Sequence, residues 1–303
     1  MKNMDTYNNY IQKVVERFYK MNELDPGWDH YDLQHLYWIF NYYQGGAFED
    51  EIEALYNAKD WSALNNLYYQ RNRLDIFPTY VDLNYPHWNF FESLNAVAVG
   101  DDKGVEHLFP KNLSLKVHIE MRKGIYPMCR VGEILLGGMW YQDEEILNYI
   151  IPKATKFAAG KSPKCDVAAI AYMLALQEHD VSKASEYLND ACKVLHNDLT
   201  PMEKRHYLPA HGLYRLAARI LDKDELQKLS MPEYKTFCRE YAEWCNNNTE
   251  PPQLYAPFPK PVDFFNDMFM GDWHSIQWKG LEDFPFIGNM PKEWHYDKDG
   301  NLI

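Results

Sequence analysis

The sequence predicts an all-α protein, an array of antiparallel αα-hairpins with an irregular C-terminal segment packed on it. Three observations lead to this prediction. Apolar residues recur at helical spacing without sustained two-residue alternation, acidic turns recur about every forty residues, and prolines cluster after residue 246. Apolar residues make up 46% of the 303-residue chain, enough for a continuous core.

The acidic turns lie at Asp60, Asp101, Asp143, Asp180 and Asp222. The stretch LNAVAVGDDKGVEHL is typical of one helix that ends, a turn, and a second helix that begins. We expect Asp101 or Asp102 to cap the second helix, because a short carboxylate accepts hydrogen bonds from first-turn amides. Gly100 is expected to end the first helix. Asp222 and Glu225 have the spacing of a capping box.

Successive turn aspartates are 41, 42, 37 and 42 residues apart. A period of about forty residues with two helices in each is what stacked αα-hairpins require. The hairpins must stack, because one hairpin cannot bury its apolar stripe alone. The alternative is that these are the short acidic turns of any helical protein. Apolar stripes in three segments agree with helices: Tyr7, Ile11, Val14 and Phe18; Val167, Ile170, Ala171 and Leu174; Leu213, Leu216, Ala217 and Ile220.

The C-terminal part of the chain differs in composition. The stretch NNNTEPPQLYAPFPKPVDFF contains five prolines and cannot continue a helical array. The aromatic residues that follow would expose a large apolar area in water. We therefore expect residues 1–246 to form the helical-hairpin repeat domain and residues 247–303 to dock on it as an ordered irregular segment.

Charge and hydropathy limit the function classes. The net charge of −13 argues against nucleic acid or an anionic membrane and favours a basic protein partner. Residues 22–60 contain nine carboxylates and one lysine. No run of eighteen apolar residues occurs, and the N-terminus lacks the apolar block of a secretory signal. We expect a cytoplasmic protein.

No motif in the sequence identifies a reaction. The five cysteines are odd in number and include no CxxC pair, so neither a disulfide framework nor a zinc site is indicated. In the stretch WDHYDLQH, a solvated helix start is favoured over a metal or base site, because His30 and His35 are five residues apart. His206 and His211 are expected to be structural. We assign no catalytic residue, metal or cofactor, and an enzyme with scattered catalytic residues remains an alternative.

The acidic and aromatic residues near the N-terminus form our candidate partner-binding surface. Its members are Asp29, Asp32, Glu49, Asp50, Glu51, Glu53, Tyr42 and Tyr43. Carboxylates attract a basic partner, and aromatic side chains supply the desolvated contacts that hold it. The alternatives are that the acidic residues of 49–53 only begin a solvated helix, or that a concave surface elsewhere is the contact face.

The stretch NFFESLNAVAVGDDKGVEHL and its echo AAIAYMLALQEHDVSKASEYL share a helix, an acidic turn and a second helix. Over roughly residues 85–230 the chain resembles the all-helical immunity proteins of bacterial toxin systems, in particular the immunity protein 49 family. The resemblance implies a cytoplasmic protein that binds and neutralises a cognate toxin domain without catalysis. A general helical-repeat scaffold that binds peptides is the first alternative, and an enzyme is the second.

Overall fold

The computed structural model describes residues 7–16, 47–76, 89–109, 126–193 and 199–260, with positions 111, 114–116, 119, 122, 263, 266 and 270. All regular secondary structure in these residues is helical, so the all-α prediction is confirmed for them. The chain divides into two compact units. Unit 1 takes residues 1–86 and 252–303, and unit 2 takes residues 87–251.

Unit 1 contains a helix over residues 7–16 (α1), followed by α2 at Ala47–Ala58 and α3 at Trp61–Ile76. In unit 2, the helices α4 to α8 cover Asn89–Val99, Asp102–Leu108, Pro127–Tyr141, Glu144–Ala158 and Lys164–Gln177. The helices α9 to α12 cover Val181–Ala191, Leu208–Ile220, Lys223–Leu226 and Arg239–Asn247.

The predicted aspartate caps are confirmed at all five turns. Each of the five carboxylates accepts a hydrogen bond from an amide in the first turn of the helix that follows it. For example, the amides of Ile146 and Lys183 each donate at 3.0 Å to Asp143 and Asp180. Asp222 and Glu225 form the predicted capping box, in which each side chain accepts from the other residue's backbone amide.

Four of these turns share one backbone motif. The residue before the aspartate has a left-handed conformation, with φ of 57° at Lys59, 81° at Gly100, 51° at Gln142 and 57° at His179. The next amide bonds back five residues, as from Asp143 to the carbonyl of Gly138. This is the Schellman motif, which satisfies the last carbonyls of a helix. The same aspartate therefore completes one helix and caps the next.

The stacked array of the sequence-based prediction is not confirmed, because contacts in unit 2 close into a ring. The first helices of the four helix pairs are α4, α6, α8 and α10. Of these, α4 contacts α6 and α10, and α8 also contacts α6 and α10. In the second pair, the first helix is the more buried one: α6 buries twelve residues, whereas α7 buries four. An open array would keep α4 and α10 apart.

Glycines set the closest helix contacts in this ring. A Cβ built at Gly212 of α10 would lie 2.0 Å from the carbonyl oxygen of Leu94 in α4. A Cβ at Gly132 of α6 would lie 2.7 Å from the ring of Phe90. These positions therefore allow α10 to pack against the backbone of α4, and α6 to receive an aromatic ring from α4.

Arginines of α10 bind the C-terminal ends of two other ring helices. Arg215 Nη1 donates to the carbonyl of Ala98 at 2.8 Å, and Arg219 Nε donates to the carbonyl of Trp140 at 3.0 Å. The Arg219 guanidinium also lies 3.7 Å from the centre of the Trp140 ring. Last-turn carbonyls favour a cation, so both arginines stabilise the ends of α4 and α6.

The C-terminal segment packs within unit 1 through residues 253–258. The Ala256 amide donates to Gln70 Oε1 at 3.0 Å, and the Gln253 amide donates to Asn66 Oδ1 at 3.0 Å. Phe258 is buried. Residues 252–260 thus belong to unit 1 together with the N-terminal helices. The division of the chain at residue 246 and the docking of all residues 247–303 stay predictions. The aromatic residues from Trp273 onward lie outside the described residues.

Candidate functional site

The strongest candidate surface lies on the solvent side of α2. Glu49, Asp50 and Glu53 are exposed, whereas Phe48 and Ile52 face the core with 3% and 2% of their surfaces exposed. Residues three or four positions apart share one helix face, so Glu53 lies on the face of both other carboxylates. This arrangement concentrates negative charge at one place on unit 1.

Glu51 does not belong to this exposed face, so the prediction that it faces solvent is wrong. Its side chain is buried, and the hydroxyl of Tyr255 donates a short hydrogen bond to Glu51 Oε1. Burial and the adjacent Glu51 carboxylate raise the pKa of Tyr255 well above its usual range, which keeps the hydroxyl a donor. A buried carboxylate requires such a donor. Glu51 therefore has a structural role in holding α2 against the C-terminal segment.

Two half-buried aromatic residues adjoin the exposed carboxylates. Tyr56 is three positions after Glu53 on α2, and its ring packs edge-on against Trp61 with the centroids 5.7 Å apart. We define the acid-aromatic surface as Glu49, Asp50, Glu53, Tyr56 and Trp61. Neither Tyr56 nor Trp61 was among the predicted surface residues. Tyr56 lies three positions after Glu53, and this spacing on one helix was a usable signal. Trp61 belongs to the next helix, so its position depends on the turn at Asp60.

An aromatic cluster holds this surface from behind. The Tyr7 ring of α1 packs edge-on against Phe48 and Tyr255, with centroids 5.6 Å and 5.8 Å apart. Gln70 Nε2 donates to the Tyr7 hydroxyl oxygen at 2.8 Å. Burial raises the pKa of Tyr7 above its usual range, so this hydroxyl stays neutral. The backbone of α2 is thus fixed by contacts on its inner side.

The remaining members of the predicted surface are Asp29, Asp32, Tyr42 and Tyr43, and they lie outside the described residues. His30 and His35 also lie outside them. The partner-binding role of Glu49, Asp50 and Glu53 stays a prediction, because exposure is a requirement for such a role and not a demonstration of it.

A concave feature lies in unit 2 between α7, α8 and α9. This open groove has a volume of about 920 Å³. Val167, Ala168, Ala171, Leu174 and Ala175 of α8 form its floor. Ala158 at the end of α7 and Ala159 just after it line one side, and Lys183, Tyr187 and Asp190 of α9 line the other. We call it the small-residue groove.

The charges around the small-residue groove differ from those of the whole chain. Three lysines and two carboxylates line it, in a chain of net charge −13: Lys164, Lys183, Lys193, Glu178 and Asp190. Lys193 Nζ lies 2.6 Å from Asp190 Oδ1, and Lys183 Nζ lies 2.8 Å from Asp180 Oδ2. Both lysines remain about half exposed. Because both lysines are paired with carboxylates, the lining of the groove is close to neutral.

Two pairs of buried polar side chains stabilise the core of unit 2. Arg122 Nε donates to Glu133 Oε2 at 2.7 Å, with 2% and 0% of the two side chains exposed. Burial raises the pKa of Glu133 to about 7, and the arginine opposes that shift. Both side chains are almost fully buried, so the pair holds Arg122 against α6. Neither group is exposed to a substrate.

His206 and His211 form the second pair, with ring centroids 4.5 Å apart. The Cys238 amide donates to His211 Nε2 at 3.2 Å, so that nitrogen is an acceptor and the ring is neutral. Burial lowers the pKa of His206 to about 3 and that of His211 well below its usual range. Tyr241 and Phe237 pack around them. The structural role expected for both histidines agrees with this geometry.

The described histidine, cysteine and acidic side chains show neither a metal site nor a reactive thiol. No group of three or more histidine, cysteine or acidic side chains there is placed to hold a metal ion. All five cysteines are free thiols, and four of them are buried. Burial raises the pKa of Cys129 and of Cys192 to about 12, which disfavours the reactive thiolate. None of the helices that the structure describes has the length and apolar character to cross a membrane.

The geometry defines an all-α protein with an acid-aromatic surface and a separate small-residue groove. Comparison with known proteins adds no relative: no family model, no curated protein and no solved structure matches the chain.

Proposed function

We propose that this chain is a binding protein that neutralises a basic protein partner by direct contact at the acid-aromatic surface. The partner class is a cognate bacterial toxin domain, as the resemblance to immunity proteins implies. The observation that supports the proposal is the placement of three exposed carboxylates beside the half-buried Tyr56 and Trp61 on one face of unit 1.

The two parts of the surface suit two stages of inhibition. Carboxylates in a chain of net charge −13 accelerate the encounter with a cationic protein. Aromatic side chains bury a large area at small entropic cost and so slow dissociation. The fixed inner side of α2 adds preorganisation, because Phe48, Ile52 and Glu51 are already packed before a partner arrives.

The test measures binding kinetics against the purified products of the genes that flank this one. The triple variant Glu49→Lys, Asp50→Lys and Glu53→Lys should lower the association rate by about tenfold or more at low salt. The matched control is Glu144→Lys, Glu145→Lys and Glu243→Lys, which makes the same charge change on exposed helical residues of unit 2. It should have a much smaller effect.

Trp61→Ala separates the two stages, because it should raise the dissociation rate and leave the association rate almost unchanged. Equal association rates for the two triple variants, with both folded, would remove the acid-aromatic surface from the binding site. If no flanking gene product binds at all, the toxin proposal fails and the general scaffold alternative is preferred.

A further inference from the structure

Side chains of α3 hold the backbone of the docked residues 253–258. Gln70 Nε2 donates to the Ala256 carbonyl at 3.2 Å, and the Ala256 amide donates to Gln70 Oε1 at 3.0 Å. One turn earlier in α3, Asn66 Oδ1 accepts from the Gln253 amide at 3.0 Å. A side-chain amide carries the same donor and acceptor as a peptide group, so Gln70 pairs with Ala256 as a neighbouring strand would. These contacts recognise a non-helical backbone, whatever its side chains.

One side chain of the docked residues is recognised specifically. The Tyr255 ring packs edge-on against Tyr7, with the centroids 5.8 Å apart, and its hydroxyl donates to Glu51 Oε1. Only 3% of Glu51 is exposed, and in the described part of the chain Tyr255 is the one donor to its carboxylate. A phenylalanine ring would fill the same space and leave the buried carboxylate without a donor, which is costly. We define the peptide cradle as Tyr7, Glu51, Asn66 and Gln70, and this cradle favours tyrosine over phenylalanine.

The docked residues lie on the surface of unit 1 and contribute little to its core. None of residues 253–257 is fully buried, and Gln253 and Pro257 are exposed. By contrast, α3 buries ten residues. A segment with few buried side chains opens at a lower free-energy cost than the helices on which it lies. Pro252 and Pro257 also restrict the undocked chain, so docking loses less conformational entropy. A short segment held mainly by hydrogen bonds has the properties of a bound peptide.

We propose that the peptide cradle is a binding site for a proline-flanked peptide that carries a tyrosine, and that residues 253–258 occupy it as an exchangeable ligand. A segment of another protein with the same chemistry would bind by displacing them. The exchange preserves the donor to Glu51 only if the incoming peptide also supplies a tyrosine hydroxyl, so α2 tolerates it for that class of peptide. The proposal concerns the inner side of α2 and does not depend on the acid-aromatic surface or on its partner.

The experiment measures fluorescence anisotropy of a labelled peptide with the sequence of residues 250–260, EPPQLYAPFPK. One control peptide replaces its tyrosine with phenylalanine, and a second has the same composition in scrambled order. The protein is the full chain in three forms. The parent keeps its own segment in the cradle, and Tyr255→Phe keeps the ring but removes the donor to Glu51. The double variant Tyr255→Ala and Ala256→Pro removes the ring and the amide that donates to Gln70.

We expect the tyrosine peptide to bind the double variant saturably and about tenfold or more tightly than it binds the parent, whose own segment competes at a high effective concentration. The phenylalanine and scrambled peptides should bind the double variant about tenfold or more weakly than the tyrosine peptide does. The tyrosine peptide should also raise the melting temperature of the double variant, because it binds the folded form. If circular dichroism finds the double variant unfolded, Tyr255→Phe takes its place and should also bind the tyrosine peptide more tightly than the parent does.

Three substitutions in the same variant locate the peptide. Asn66→Ala removes the acceptor for the peptide backbone and should weaken binding by about threefold or more. Asn189→Ala is the matched control, because Asn189 Oδ1 accepts from the Glu233 amide in unit 2, and it should leave binding unchanged. Glu51→Leu removes the carboxylate that accepts from the tyrosine hydroxyl, so it should abolish the preference for tyrosine over phenylalanine.

Three outcomes would overturn the proposal. The first is no saturable binding of the tyrosine peptide by a folded variant. The second is equal binding of the tyrosine and scrambled peptides, which would indicate nonspecific attraction. The third is equal affinity of the parent and the variants for the tyrosine peptide, which would place it outside the peptide cradle. Loss of partner binding by the acid-aromatic variants changes none of these measurements, so the two proposals fail separately.

Discussion

The close approach of α10 to α4 provides a sharp test of the ring in unit 2. In the variant Gly212→Ala, the new Cβ would lie 2.0 Å from the Leu94 carbonyl oxygen and 2.6 Å from its carbon. Ordinary contact begins at 3.4 Å, so the two helices must separate locally by more than about 1 Å. A backbone carbonyl cannot rotate away as a side chain can. The ring contacts therefore have to open.

The magnitude follows from two opposing effects. Overpacking usually costs about 1–3 kcal/mol and occasionally more, and a backbone obstacle belongs to the upper part of that range. Alanine in place of glycine within a helix returns at most about 1 kcal/mol. We therefore expect a net loss of about 2 kcal/mol in the free energy of unfolding of unit 2.

Urea unfolding measures the loss of stability. Because the chain has two units that can unfold separately, hydrogen exchange is needed to assign the loss to unit 2. Amides of α4 and α10 should lose protection in the variant. Gly137→Ala is the control, because the nearest atom to its Cβ would be a side-chain carbon of Phe109, at 3.2 Å, and not a backbone atom. If Gly212→Ala is as stable as the parent protein and the amides of α4 keep their protection, the close packing of α10 against α4 is refuted.

Three further predictions concern the buried histidine pair and the turn at Asp60. Burial lowers the folded-state pKa of His206 to about 3, whereas the unfolded side chain titrates near its usual value of about 6.5. Between these two values the unfolded chain binds more protons than the folded chain. The free energy of unfolding should therefore fall as the pH falls from about 6.5 toward about 3, by up to about 1.4 kcal/mol per pH unit for each buried histidine. Urea unfolding over that pH range measures the slope, and His206→Phe should flatten it; a slope that His206→Phe does not change would contradict this cause. Lys59→Gly should stabilise unit 1 by about 0.5–1 kcal/mol, because Lys59 has φ of 57°. Asp60→Ala should cost about 1 kcal/mol through its lost cap, and the opposite order of thermal stability would refute the assigned turn.

The sequence predicted the turns well because their physics is local. An aspartate cap involves amides only three residues away, so Asp101 and Asp180 could be recognised from their immediate neighbours. The left-handed residues were harder to predict. Gly100 signals such a conformation, but Gln142 and His179 adopt it without a glycine. Tertiary packing on both sides of these turns overrides the local preference.

Ring closure and the core role of Glu51 depend on contacts far apart in sequence. Gly212 meets Leu94 across more than one hundred residues, and no period of forty residues distinguishes an open array from a closed ring. Tyr255 and Glu51 are 204 residues apart. Within EDEIE, composition alone suggested four equivalent carboxylates, and only the helix register separates them.

That register links the proposed binding surface to the C-terminal segment. Four carboxylates within five helical residues cannot all face solvent, because each residue turns the helix by about 100°. Glu49, Asp50 and Glu53 face outward, and Glu51 must then point toward the core beside Ile52. An inward carboxylate is tolerated only with a donor, which Tyr255 supplies. The exposed acidic face of α2 therefore depends on the docked residues 253–258, and the proline-rich stretch holds in place the helix that carries the proposed binding surface.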